Sequence, residues 1–243
     1  ETLTPEETDV IGRFDAAMAQ LEVLQQGDFE GIFREMDSLP VVIRLIDPPL
    51  HEFVPHTETA QKQLAQKLSL PFHQVKRRIE RLHESNPMLG HRGSRLLITY
   101  PEILEMQVRA IIEAACECQK KSIKVYPEIM LPLIIDAKEL KILADKARSV
   151  AAEVMAEQNT QIKYLIGTMI EVPRAALLAD QIASVADFFS FGTNDLTQMT
   201  LGMSRDDAGR FLPDYVDEKK TGILTNDPFQ SLDLNGVGLL MQI

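Results

Sequence analysis

The chain has 243 residues, of which 45% are hydrophobic and 25% are charged, a balance typical of a soluble globular protein. Its formal net charge of −11 argues against nucleic acid as a partner, because binding to a phosphate backbone needs a basic surface. No apolar run reaches the roughly 18 residues that would suggest a membrane span, and Glu1 begins a polar segment without a signal-peptide pattern. We therefore expect one cytoplasmic domain over residues 1–243, without membrane contact.

The first part of the chain is predicted to be helical up to one buried strand. Thr4-Pro5-Glu6-Glu7 has the N-cap, first-position proline and first-turn acids of a helix start. This helix is expected to end at Gly27, and Phe29 to Met36 is predicted to form a second, short helix. The compact apolar run from Val41 to Ile46 is typical of a strand buried on both faces, and Pro48 follows it as a strand breaker.

The rest of the chain is predicted to alternate between strands and helices, after a helical excursion over residues 54–88. That excursion is broken at Ser69-Leu70-Pro71, where one helix can end and another begin. Four strands are expected after it: Arg95–Thr99, Ile129–Ile135, the run that ends at Glu171, and Phe188–Phe191. Three helices are expected between them: Pro101–Lys120, one from Asp136 or Ala137 to about Gln158, and Pro173–Ile182. Such alternation implies βαβ units and a parallel sheet, and therefore an α/β fold.

The C-terminal part carries weaker signals. Residues Asp214 to Asn226 are polar and are predicted to form a surface loop, and Leu232 to Ile243 has the pattern of a helix that is only beginning. No Gly/Ser-rich linker divides the chain into separate units.

Two of the predicted strands end on a carboxylate. Glu171 closes one apolar run, and Asp195 follows Phe188–Phe191 and a polar tip that contains Gly192. In parallel α/β folds ligands bind at the C-terminal ends of the strands. Mg²⁺ is usually bound through one or two carboxylates, with the remaining positions left to water and substrate. Glu171 and Asp195 are therefore predicted to bind Mg²⁺.

Polar side chains near the same strand ends have two interpretations from the residues alone. Arg44 lies inside an apolar strand, where it either binds a ligand or pairs with Asp47. Arg92 lies in a loop between glycines, which allow the backbone to approach a ligand closely. Asn194 either donates to a substrate oxygen or caps the following helix.

Four segments resemble the phosphoenolpyruvate-utilising enzymes, a family of phosphotransferases. The segment Asp187–Gln198 matches the family signature, and three further segments resemble its pyruvate phosphate dikinase branch: Ile43–Phe53, Leu89–Leu96 and Met199–Asp207. The Asp-Pro-Pro-Leu-His-Glu-Phe string at residues 47–53 is the most discriminating of these, and the resemblance covers essentially the whole chain.

The resemblance implies a fold, a reaction and a set of site residues. The fold would be a (β/α)8 TIM-type barrel, incomplete because the first strand and the last strands are missing, with about six of eight strands present. The reaction would be phosphoryl transfer between a phosphohistidine and pyruvate to give phosphoenolpyruvate. Arg44 and Arg92 would bind the phosphoryl group, and Glu171 and Asp195 would bind the Mg²⁺. The further substrate-binding residues implied are Gly192, Thr193 and Asn194, with Arg44, Arg92 and Asn194 as the catalytic set.

The implied partners are pyruvate or phosphoenolpyruvate, together with the phosphohistidine and ATP-binding domains of a full-length enzyme. We find no Gly-rich ATP-binding segment and no Thr-Ser-His phosphohistidine segment in this sequence, so the isolated chain is not expected to run the complete reaction. The family also suggests a homodimer. Two alternatives stay open: a relative of phosphoenolpyruvate synthase or phosphotransferase enzyme I, and a non-catalytic, truncated module.

Overall fold

The first long helix of the molecule is continuous. The computed structural model describes residues 5–243, with side chains from residue 12 onward, and its first helix, α1, spans Pro5–Glu35. The predicted break at Gly27 is therefore wrong, and the predicted cap Thr4 lies outside the described residues. One glycine inside a helix costs only about 1 kcal/mol relative to alanine, and α1 packs along the long helix over residues 101–120, which stabilises it through this position.

The described residues form one four-stranded parallel sheet. Its strands are β1 (Pro40–Arg44), β2 (Tyr126–Leu131), β3 (Leu165–Ile170) and β4 (Phe189–Phe191), paired in sequence order β1-β2-β3-β4. This is the arrangement of consecutive strands in half of a (β/α)8 barrel, so the predicted fold class, an incomplete TIM-type barrel, is confirmed. The expected number of about six strands is too high, because the part of the chain described here contains four.

Eleven further helices lie between and after the strands in the described residues, besides short 3₁₀ turns at Leu50–Phe53 and Pro87–Leu89. They are α2 (Glu58–Lys67), α3 (Phe72–Leu82), α4 (Gly93–Thr99), α5 (Pro101–Lys120), α6 (Ala137–Glu157), α7 (Pro173–Leu177), α8 (Ala179–Ala183), α9 (Thr193–Leu201), α10 (Arg205–Ala208), α11 (Leu212–Val216) and α12 (Val237–Leu240). The helices α2 and α3 fall inside the predicted excursion and are separated at the predicted break.

The segment predicted as the strand Arg95–Thr99 is instead part of helix α4. A short apolar run is compatible with a buried strand or a buried helix, and periodicity alone does not separate the two. Here Leu96 and Leu97 are both fully buried, so consecutive side chains are enclosed by the core. The apolar run therefore reflects burial and gives no information about the backbone conformation.

Several boundaries also differ from the predictions. Strand β2 ends at Leu131, four residues before the predicted end, because Pro132 has no backbone N–H and Leu133 adopts a left-handed conformation with φ of 57°. The predicted helix Pro173–Ile182 is divided at Leu178 into α7 and α8. Near the C-terminus, α11 begins just before the predicted loop and continues into it, and α12 is a single short turn.

The hydrophobic core lies between the sheet and the long helices. Helix α5 packs against both α1 and α6, and Ile111 and Ile112 of α5 are fully buried in one cluster with Ile129 and Ile166 of the sheet. This packing fixes the strands relative to one another and thereby fixes the positions of the loops that follow them. No helix of the described chain is both long enough and apolar enough to cross a membrane.

Candidate functional site

The charged residues predicted from the strand ends meet at one edge of the sheet. Arg44 is the last residue of β1, Glu171 follows β3 directly, and Asp195 lies in the first turn of α9. Arg92 is the residue immediately before α4, and its Nη2 atom lies 3.4 Å from Oδ2 of Asp195. Because parallel strands end on the same side, residues far apart in sequence form one cluster here.

A third carboxylate, Asp47, joins the two arginines. Its Oδ2 atom accepts a 2.6 Å hydrogen bond from Nη2 of Arg92 and lies 3.2 Å from Nη1 of Arg44. Asp47 is 5% exposed, whereas the Arg44 side chain is 42% exposed. The interpretation of Arg44 as an ion-pair partner of Asp47 is confirmed. The pairing of Asp47 with Arg92 was missed, because 45 residues separate the two in sequence.

Glu171 is the most deeply buried acid of the cluster, with 1% of its surface exposed. Its Oε1 atom accepts a 2.7 Å hydrogen bond from the backbone N–H of Leu133. Burial raises the pKa of Glu171 to about 7, and repulsion from Asp47 and Asp195 adds to that rise. The carboxyl group of Glu171 therefore titrates near neutral pH.

This pair of carboxylates fits a hard divalent cation. The charge of Asp195 repels that of Glu171 unless a proton or a cation lies between them, and oxygen ligands are those that Mg²⁺ prefers. Glu171 and Asp195 are the residues that would hold such an ion, with water and substrate completing its coordination.

Arg92 is nearly enclosed, with 11% of its side chain exposed. Burial alone would lower its pKa, but the hydrogen bond to Asp47 and the attraction of Asp47, Asp195 and Glu171 outweigh that effect, so the pKa of Arg92 is raised. Its Nε atom is buried without a hydrogen-bond partner. The guanidinium group is thus permanently charged, and its Nε–H donor is unused.

Two glycines allow the close approach of the backbone that the cluster requires. Gly93 has a φ of 56°, a conformation that other residues rarely adopt, and its N–H donates a 3.0 Å hydrogen bond to the carbonyl oxygen of Asp47. At Gly192, a Cβ atom would lie 2.5 Å from Oε2 of Glu171 and 2.8 Å from Sδ of Met169. Any side chain at residue 192 would therefore displace Glu171.

Thr193 and Asn194 lie at the margin of the cluster. Both are exposed, and Oδ1 of Asn194 accepts a hydrogen bond from Nη2 of Arg205. The alternative interpretation of Asn194 as a helix cap is wrong, because Gly192 occupies the N-cap position of α9 and no side chain caps it. Asn194 is therefore exposed to solvent beside Glu171 and Asp195, and its side chain is hydrogen-bonded to Arg205 and not to these acids.

The arginines and acids at the strand ends of this parallel α/β half-barrel carry charges that suit a small anion together with a cation. Comparison with known proteins assigns the family. The family model for "PEP-utilising enzyme, PEP-binding domain" matches residues 4–243, so the chain belongs to the family of PEP-utilising enzymes.

Individual relatives are similar over almost all of the chain. It is 50% identical over 237 residues to a pyruvate, phosphate dikinase of Clostridium symbiosum, and 52% identical over 236 residues to that of Giardia intestinalis; each alignment covers 97% of the chain. It is also 54% identical over 230 residues, 93% of the chain, to a chloroplastic pyruvate, phosphate dikinase of Arabidopsis thaliana. The matched part is 27%, 26% and 24% of these relatives, respectively, so the chain spans about a quarter of their length.

Proposed function

We propose that the chain provides the half-site for pyruvate and phosphoenolpyruvate in a dikinase of the pyruvate, phosphate type. It would support phosphoryl transfer between pyruvate and a phosphohistidine on another domain, in the overall reaction that converts ATP, phosphate and pyruvate into AMP, diphosphate and phosphoenolpyruvate. The single observation that carries the proposal is the convergence of Arg92 with both Asp47 and Asp195, because it joins the arginine side and the acidic side of the cluster.

The arginines would bind and stabilise the phosphoryl group. Phosphoryl transfer depends mostly on positioning and on electrostatic stabilisation of the equatorial oxygens, and guanidinium groups form the strongest hydrogen bonds to such oxygens. Arg92 is fixed and nearly enclosed, whereas Arg44 reaches into solvent. Arg92 would therefore contact the anion from the enclosed side, and Arg44 would contact it from the exposed side.

The acids would hold Mg²⁺ beside this position. Bound Mg²⁺ would act as a Lewis acid toward the oxygens of pyruvate and stabilise negative charge on the enolate oxygen. The hydrogen bond from Leu133 fixes the orientation of Glu171, and Gly192 leaves the space in which Glu171 lies. The exposed Nδ2 group of Asn194 would donate to a substrate oxygen, because Arg205 occupies only its Oδ1 atom. The backbone of Gly192 and Thr193 would line the same side.

The alternatives are less well supported. The relatives reported above are dikinases, and the dikinase-type string at residues 47–53 begins with the acid that contacts both arginines, which favours a dikinase over a synthase or enzyme I. Burying the carboxylates of Asp47 and Glu171 beside the nearly enclosed Arg92 costs free energy of folding. Because a purely structural role would not require this cost, the cluster argues against a non-catalytic module. A phosphohistidine domain and an ATP-binding domain would be the protein partners, and a homodimer is the assembly that we propose.

The test is a chimera in which this chain replaces the matching quarter of the Clostridium symbiosum relative. We expect the chimera to form phosphoenolpyruvate and AMP from ATP, phosphate and pyruvate, and Glu171→Gln to abolish this activity. Glu153→Gln, on the exposed surface of α6, serves as the matched control and should change nothing. A folded chimera that forms AMP and diphosphate but no phosphoenolpyruvate would contradict the proposal.

A further inference from the structure

We infer that Asp47 is a positioning residue that holds Arg44 and Arg92 together so that both guanidinium groups bind one phosphoryl group. The inference rests on the proposed function and deepens it, because it concerns the arginine side of the same site. Asp47 itself would not contact the substrate.

The first observation is that one oxygen atom binds both arginines. Oδ2 of Asp47 lies 2.6 Å from Nη2 of Arg92 and 3.2 Å from Nη1 of Arg44. Two guanidinium groups at such a short separation repel each other unless an anion lies between them. Asp47 supplies that anion before any substrate arrives, so the arginines converge in the unliganded chain.

The second observation is that the Asp47 carboxylate has no other hydrogen-bond or ion-pair partner in the described part of the chain. Its Oδ1 atom is buried without a hydrogen-bond partner among the described residues. By contrast, the carboxylate of Asp187, at the other end of the sheet, accepts a 2.8 Å hydrogen bond from the backbone N–H of Ile166. A carboxylate that only stabilised the fold would be expected to satisfy backbone donors in this way. The contacts of Asp47 are directed at the two arginines.

The third observation is that the backbone around Asp47 is fixed on both sides. The N–H of Gly93 donates to the Asp47 carbonyl oxygen over 3.0 Å, and the N–H of Ile46 donates to Oε1 of Gln107 over 2.9 Å. Gly93 directly follows Arg92, so the same contact sets the spacing between the acid and the arginine. The carboxylate is therefore attached to a rigid support, as positioning requires.

The consequence concerns the cost of binding. Arg44 is a long side chain with 42% exposure, and ordering such a side chain at the moment of binding reduces affinity. Asp47 orders it in advance. The resulting gain in affinity applies to ligands that carry a phosphoryl group, because the arginines would bind that group whereas Mg²⁺ and the acids would bind the remainder of the substrate.

The experiment compares two ligands on the wild-type chain and on Asp47→Asn. Phosphoenolpyruvate carries a phosphoryl group, whereas oxalate resembles the pyruvate enolate and carries none. Asparagine has nearly the same shape, but it loses the charge and places an N–H₂ group near the arginines. Asp187→Asn is the matched control, because it removes a carboxylate that is paired with Arg148 far from the site. Calorimetric titration with Mg²⁺ gives both affinities, and thermal unfolding confirms that each variant is folded.

We expect Asp47→Asn to weaken phosphoenolpyruvate binding by about 10- to 100-fold, the effect of removing one partner of a buried charge pair. Oxalate affinity should change by less than about threefold, and Asp187→Asn should leave both affinities unchanged. If Asp47→Asn unfolds at the assay temperature, Asp47→Ser replaces it, since serine keeps an oxygen acceptor in a smaller side chain.

The outcomes separate this inference from the function on which it rests. Equal weakening of both ligands by Asp47→Asn, or no weakening of either, overturns the positioning role while the proposed function stands. Failure of the folded wild-type chain to bind either ligand overturns the proposed function and the inference with it.

Discussion

The backbone N–H of Leu133 donates a 2.7 Å hydrogen bond to Oε1 of Glu171. Leu133 is in the left-handed region, with φ of 57°, which is uncommon for a residue with a branched side chain. Leu133, which follows β2, thus has an unfavourable backbone conformation. In this conformation its N–H donates to the buried Glu171, which follows β3. Strained residues of this kind concentrate at functional sites.

The raised pKa of Glu171 predicts how stability depends on pH. Since folding raises its pKa from 4.5 to about 7, the folded state binds the proton more tightly, and the contribution of Glu171 to stability is greatest below about pH 4.5. The free energy of unfolding of the metal-free chain should therefore fall between about pH 4.5 and about pH 7, as Glu171 loses its proton in the folded state. Urea unfolding in EDTA at a series of pH values measures this fall.

Glu171→Gln is the control for that measurement. Glutamine still accepts the hydrogen bond from Leu133 but does not titrate, so the variant should lose less stability over the same pH range. Glu113 and Glu139 also have raised pKa values and remain in both proteins, so their contribution cancels in the difference. If the free energy of unfolding depended on pH in the same way in the two proteins, the pKa of Glu171 would not be raised by burial.

Gly192→Ala tests the space that Glu171 needs. The new Cβ atom would lie 2.5 Å from Cβ and from Oε2 of Glu171, so the acid must move. We expect a loss of roughly 1–3 kcal/mol in the free energy of unfolding, as for other overpacked sites, and a loss of Mg²⁺-dependent ligand binding. Gly31→Ala in α1 is the control: nothing lies within 4 Å of its added Cβ, and it should stabilise the chain slightly. Unchanged binding in Gly192→Ala would mean that Glu171 is not held as described.

Ser94→Ala tests the support beneath Leu133. The buried hydroxyl of Ser94 donates a 3.0 Å hydrogen bond to the carbonyl oxygen of Leu133, and it lies 3.2 Å from Oε1 of Glu139. Its removal leaves buried acceptors unpaired, so we expect a loss of roughly 1–3 kcal/mol in unfolding free energy. Ser184→Ala, which removes an exposed hydroxyl bond to Gln181, should cost much less. Chemical denaturation of the two variants side by side provides the comparison, and equal losses would argue against this support.

The sequence predicted the strand ends better than it predicted the contacts between them. Glu171 and Asp195 could be identified because each follows an apolar strand, and a parallel sheet brings such positions together. Asp47 could not be assigned to Arg92, because a partner 45 residues away leaves no periodic signal. The left-handed conformation of Leu133 had no signal either, since a leucine at a buried turn resembles any other core leucine. Helix α4 was predicted as a strand for the same reason: burial of Leu96 and Leu97 hides the helical period.

The most direct test of the site is a calorimetric titration of oxalate into the purified chain, with and without Mg²⁺, on the wild type and on Glu171→Gln. We predict binding that requires Mg²⁺ and that falls at least about tenfold in the variant, the loss expected when a charged ligand to a cation becomes neutral. A folded wild-type chain that binds no oxalate in the presence of Mg²⁺, or a Glu171→Gln variant that binds it equally well, would contradict the assignment of Glu171 and Asp195 as the metal-binding acids.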